Sequence, residues 1–166
     1  MPLRHRLGLN AETVQELELA ATQRYYEALE LLVRGQAGGG VYLMGYVAEI
    51  LLKNAYFLVS GARPADAVQP RLGPARAAGR QLVPHVDPEH YHSVAFWAQL
   101  LLAIRRRMHR PLSPEIEPAV RQRTRRLYQN WWVAMRYHRD ESLPIEVRSV
   151  LDDVDWLRAN YLRLWS

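Results

Sequence analysis

The chain contains no cysteine. Disulfides, thiolate metal sites and cysteine nucleophiles are thereby excluded. Lysine is nearly missing too: of the 22 basic residues only Lys53 is lysine, and a genome-wide codon preference for arginine is the plainest cause. No segment alternates apolar and polar residues over a useful strand length, and no internal repeat or low-complexity tract occurs. The basic leader MPLRHRLGLN has no apolar run behind it, so no signal peptide is expected and the cytoplasm is the default location. No glycine-rich phosphate loop precedes a strand, no Gly-x-Ser-x-Gly elbow is present, and paired acids on a helix are few. Nothing in the sequence announces an enzyme, and no cofactor is expected.

What remains is an ordinary globular composition. The 166 residues, 49% hydrophobic and 23% charged, are long enough for one domain spanning 1–166 with its own core. The most apolar stretch is Tyr42–Gly61, YLMGYVAEILLKNAYFLVSG. Its length is that of a membrane span, yet Glu49, Lys53 and Asn54 lie near its middle, where hydrocarbon would exact a heavy cost. Glu49 and Lys53 are four apart with the acid first, the favourable helical order. The stretch therefore reads as the central helix of a soluble bundle, with no membrane partner.

The rest of the chain follows in helical periods. Asn10 is the expected N-cap of a first helix running to about Gly35, and Gln36–Gly40 (QAGGG) the flexible turn after it. Gly61 is a natural C′ residue for the central helix. Residues 62–87, with Pro64, Pro70, Pro74 and Pro84, read as a long irregular connector holding at most a short helix over Ala75–Leu82. Asp87 and Pro88 are expected to open a third long helix, carrying Val94, Trp97, Ala98, Leu101, Ile104 and Met108 on one stripe and ending at Pro111. Ser113-Pro114-Glu115 opens a fourth, with Val120, Leu127, Trp131, Ala134 and Met135 inward. A fifth starts near Leu143-Pro144 with heptad-like Val147, Val150, Leu151, Val154, Leu157, Tyr161 and Leu164. The predicted fold class is all-α: an up-and-down bundle of four to five long helices, with the connector between the second and third.

Charge is unevenly placed. Residues 105–126 hold eight arginines against Glu115 and Glu117, while 140–156 hold six acids against Arg148. Planar guanidinium donors suit phosphates, so Arg105, Arg106, Arg107, Arg110, Arg121, Arg123, Arg125 and Arg126 point to RNA or a nucleotide. Favourable placement of cations at a helix C-terminus, and plain solvation, explain such a set equally. Complementary ends also suit a homodimer. His85, His90 and His92 sit near Asp87 and Glu89, but His90 and His92 would point about 200° apart on a helix, so no metal site is expected. Trp131 and Trp132, with Tyr128 and Tyr137, offer either a stacking platform or ordinary core.

GGGVYLMGYVAEILLKNAYF resembles the second-helix signature of HEPN-domain proteins, a Gly-Tyr-x-x-Glu-x-x-Leu-Lys pattern met by Gly45, Tyr46, Glu49, Leu52 and Lys53. YHSVAFWAQLL is similar to the His-x-Leu…Trp…Leu stretch of a later helix, and WWVAMRYHRD to a Trp…Arg-Tyr segment through Trp132, Arg136 and Tyr137. The resemblance implies a dimeric prokaryotic helical bundle, often paired with a small nucleotidyltransferase in toxin–antitoxin or defence modules. Active members of that family are metal-independent endoribonucleases with an Arg-x(4–6)-His motif. Here only Arg80…His85 has that spacing, and it falls in the connector; the expected place holds Arg136-Tyr137-His138. The reading is thus a bundle without an intact ribonuclease motif, binding RNA, a nucleotide or a nucleotidyltransferase. Arg136, Tyr137, Arg121 and Arg125 would bind, with Glu49, Lys53 and Asn54 lining the opposite side. The alternatives are an endoribonuclease using Arg136 with His138 or His85, and a non-enzymatic oligomerisation module.

Overall fold

The computed structural model describes residues 12–86, 92–131, 133–137 and 139–166. Among them are seven α-helices and no strand: α1 (Val14–Val33), α2 (Ala37–Val59), α3 (Gln69–Leu82), α4 (Val94–Arg107), α5 (Ile116–Asn130), α6 (Pro144–Ala159) and α7 (Tyr161–Trp165). A 3-10 helix, Val133–Tyr137, lies between α5 and α6. The all-α class is as the periodicity implies, and no helix among the described residues is long and apolar enough to cross a membrane.

α2 is the hub. It packs against α1, α4, α6, α7 and the 3-10 helix, while α5 bridges α4 and α6 and α3 leans on α4. A helix surrounded on several sides has to be apolar nearly all round. Accordingly Val41, Met44, Val47, Ala48, Leu51, Leu52, Ala55 and Phe57 are all buried, and Glu49 and Asn54 are buried with them.

Several boundaries differ from the sequence reading, each for a local reason. α1 is capped by Thr13, whose Oγ1 accepts from the Glu16 N–H (3.2 Å) while Glu16 Oε2 accepts from the Thr13 N–H (2.7 Å). This capping box starts the helix at Val14, and Asn10 lies outside the described residues. The turn after α1 is shorter than QAGGG. Gly35 (φ +74) closes a Schellman motif, and Gly38, Gly39 and Gly40 are already helical. Their smallness serves approach, not flexibility: a Cβ on Gly40 would meet Leu32 Cγ at 2.5 Å, so the leucine seats against α2 only because that Cβ is missing.

α3 starts at Gln69, earlier than Ala75, because Pro70 fits the first turn and Pro74 removes only one helical hydrogen bond. α4 takes Ser93 as its cap, Ser93 Oγ accepting from the Phe96 N–H (3.1 Å); Asp87 and Pro88 fall outside the described residues. Trp131 is extended (φ −140, ψ 134) and ends α5, so Ala134 and Met135 belong to the 3-10 helix. The last heptad stripe is cut at Asn160, whose Nδ2 donates to the Trp156 carbonyl (2.9 Å), yet Val150, Val154, Leu157, Tyr161 and Leu164 are all buried.

Candidate functional site

Positions 42, 46, 49 and 53 recur on one side of α2 and form a polar–aromatic seam. Glu49 is its centre, 1% exposed. Its Oε1 accepts from Lys53 Nζ at 3.0 Å and its Oε2 faces His92 Nδ1 at 3.2 Å. Lys53 in turn stands 5.3 Å above the Trp97 ring. The seam continues through Tyr46, edge-on to both His92 (5.7 Å) and Trp131 (5.6 Å), to Tyr42, whose hydroxyl meets that of Tyr46 at 3.2 Å. Trp131 Nε1–H donates to the Tyr42 carbonyl (3.0 Å). A buried acid is tolerable only with such partners, and here both carboxylate oxygens are engaged inside the fold. The sequence signal that found Glu49 and Lys53 was their intrusion into an apolar run. His92, 43 residues away, carried no local signal for this role.

Asn54 is not part of the seam. It is buried beside α7, where burial first, then the Glu18 charge, push the Tyr161 hydroxyl above the ordinary tyrosine value and the Asn54 amide opposes them. The expected grouping of Glu49, Lys53 and Asn54 in one ligand lining is therefore not formed. On a helix, Asn54 points well away from the Glu49–Lys53 edge. Arg136 and Tyr137 belong to the 3-10 helix against α2, but their side chains, like His138 and His90, lie outside the described residues.

The arginines divide into two groups. Arg105 is buried and donates to the Leu164 carbonyl (3.1 Å) and the Ser166 carbonyl (3.1 Å), capping the end of α7; burial, then Arg110, lower its pKa. Arg123 Nη1 (2.9 Å) and Arg126 clamp Asp153, which is 0% exposed. Arg106 and Arg121 share Glu117, Arg121 Nη2 at 3.0 Å. These are structural ion pairs. Among the described residues, Arg107, Arg110 and Arg125 have no acidic partner.

Two clefts open on this side of the fold. One, of about 900 Å³, lies at the N-terminus of α2 between Gly38, Gly39, Tyr42, Trp131, Arg139 and Asp140. Asp140 Oδ2 accepts from the Gly38 N–H at 2.6 Å and Oδ1 from the Ser142 N–H at 3.0 Å. Those backbone donors hold its carboxyl below the usual carboxylate range. The helix end is thus already capped by a carboxylate from a distant loop. The other cleft, of about 700 Å³, lies between α4 and α5 and includes Arg121, Arg125, Tyr128 and His85. Its described lining has no carboxylate. Among the described candidate residues, Arg121, Arg125, His85 and Tyr128 are brought together at this cleft. No group of three metal-ligating side chains occurs among the described residues.

Neither a family model, nor a curated protein, nor a solved structure matches this chain.

Proposed function

We propose that the chain is a HEPN-like up-and-down bundle of the cytoplasm that binds a phosphate-bearing ligand, RNA or nucleotide, without an intact ribonuclease motif. One observation carries this reading. Arg125 is exposed and unpaired among the described residues, one helical turn from Arg121, on a cleft whose described walls hold no acid. Arg106, Arg123 and Arg126 are held by Glu117 and Asp153, whereas Arg125 has no acidic partner among the described residues and stands on the cleft. Guanidinium groups so placed donate paired hydrogen bonds to phosphate oxygens.

The test is retention of the protein on a phosphate-bearing resin and on single-stranded RNA at low and high salt. The Arg121→Ala/Arg125→Ala variant should lose retention, and the wild type should lose it as salt rises. Arg123 is left untouched because it holds Asp153. Unchanged retention in the double variant would overturn the reading. A salt-sensitive homodimer without affinity for either matrix would favour the oligomerisation module, and co-purification with a nucleotidyltransferase would place the ligand on a protein partner.

A further inference from the structure

The same cleft has features that a basic face for a polymer does not require. On α4, Ala95, Ala98 and Leu102 recur on the wall facing α5, and the two alanines leave the space open. On α5, Arg121, Arg125 and Tyr128 share the opposing wall, at four- and three-residue steps. Tyr128 is 59% exposed and its ring meets no described aromatic neighbour. Between the walls stand oriented polar groups. His85 Nε2 is 2.7 Å from Gln99 Oε1, which leaves the Gln99 amide N–H groups available. Ser93 Oγ already accepts from the Phe96 N–H, so its own hydrogen is available to donate. Thr124 Oγ1 donates to the Val120 carbonyl (2.7 Å), so its lone pairs are available to accept.

An apolar floor, a few convergent polar groups and about 700 Å³ match the form of small-molecule sites, which run to roughly 300–1,000 Å³. We infer that this cleft is a mononucleotide site, taking a nucleoside monophosphate with its phosphate on Arg125 and on the Nη1 donors of Arg121 that its bonds to Glu117 leave over. The base lies over Ala95 and Ala98 against Tyr128, and its polar edge meets the Gln99 amide and the Ser93 and Thr124 hydroxyls. The inference rests on the phosphate-binding reading and narrows it from any phosphate to a small heteroaromatic one.

Calorimetric titration with adenosine 5′-monophosphate, adenosine, inorganic phosphate and a short single-stranded RNA separates the two. The monophosphate should bind at least about tenfold more tightly than either phosphate or adenosine alone, since each supplies only part of the contact. Ala95→Phe enlarges a half-buried residue at the cleft and should abolish that advantage while leaving retention of the RNA. Tyr128→Ala, at an exposed position that does not threaten folding, should bring the monophosphate down toward plain phosphate. Circular dichroism melts verify that both variants are folded. RNA binding with no preference for the monophosphate over phosphate, or a preference indifferent to both variants, overturns the mononucleotide site and leaves the phosphate reading standing. Binding of no phosphate-bearing probe overturns both.

Discussion

The indole of Trp131 lies directly on the backbone of Gly45, where a Cβ would stand 2.2 Å from three ring atoms. That contact joins the end of α5 to the middle of the hub helix, and the indole is pinned by its bond to the Tyr42 carbonyl. Gly45→Ala gains about 1 kcal/mol of helix propensity but forces a whole ring to move, and overpacking of that kind costs about 1–3 kcal/mol or more. With the indole pinned, the collision should outweigh the gain. Urea denaturation should show Gly45→Ala less stable than wild type. In a Trp131→Ala background the collision is absent, so Gly45→Ala should there be neutral or stabilising. Additive effects would mean the ring and the glycine are independent.

Asp153 draws the line between structural and available arginines. It is fully buried and holds Arg123 and Arg126, so Asp153→Ala leaves two cations without their partner. The arginines left behind are 25% and 42% exposed and can turn to water, so the loss should be about 1.5–3 kcal/mol, the worth of hydrogen bonds to a charged group. Asp152→Ala, its exposed neighbour, should cost little by comparison. Equal denaturation midpoints for the two variants would show that the clamp contributes nothing.

α4 ends in a Schellman motif whose left-handed residue is His109 (φ +56), with its N–H on the Arg106 carbonyl (3.0 Å) and the Arg110 N–H on the Arg105 carbonyl (2.9 Å). Gly35 and Gly61 fill the same place after α1 and α2. A side chain in that conformation costs about 1–2 kcal/mol, part of which glycine returns as unfolded-chain entropy. His109→Gly should therefore raise the thermal midpoint and His109→Val should lower it. The reverse order would remove the left-handed cap as the cause.

Asp140 caps α2 from outside its own neighbourhood, and its folded pKa is depressed by the Gly38 and Ser142 N–H groups. Its contribution is present above the unfolded carboxylate value and is lost as pH falls through the lowered folded value. Asp140→Asn should then flatten part of the acid limb of stability against pH and change the neutral region by about 1 kcal/mol, the ordinary worth of a cap. An unchanged acid limb would show that the carboxylate is not held in solution.

The parts of the fold legible in the sequence were those set by period and by local chemistry. The apolar run of α2, the stripe on α4 as far as Leu101 and the heptads of α6 each identify a buried face, whereas Met108, read on the same stripe, is exposed at the end of α4. Gly61, which needs only φ > 0, is legible as well. What stayed hidden depends on contacts between distant residues. QAGGG reads as a loop because nothing nearby says that Leu32 and Asp140 occupy the space a Cβ would take. The arginine set reads as one phosphate-seeking group because Asp153, which claims two of its members, is 27 and 30 residues further along the chain. Arg121 and Arg125 stand together on a cavity wall, and Arg121 also holds Glu117.

Glu49 is held from two sides, and the two sides are unequal. Lys53 is 15% exposed and its charge is answered, among the described residues, by Glu49 and the Trp97 face, whereas the His92 side chain is 50% exposed and has water to turn to. Glu49→Ala strands the lysine in a poorly hydrated place, which costs about 3–5 kcal/mol for a buried pair broken at one end. His92→Ala leaves Glu49 still paired to Lys53 and should cost under about 1 kcal/mol, like an exposed ion pair. Adding Lys53→Met to Glu49→Ala removes the stranded charge and should recover much of the loss, because two apolar residues of matched volume can replace a buried pair without penalty. Chemical denaturation of the three variants reads these differences directly. If His92→Ala proves the more damaging change, the imidazole and not the ammonium is what makes a carboxylate bearable at the centre of the hub helix.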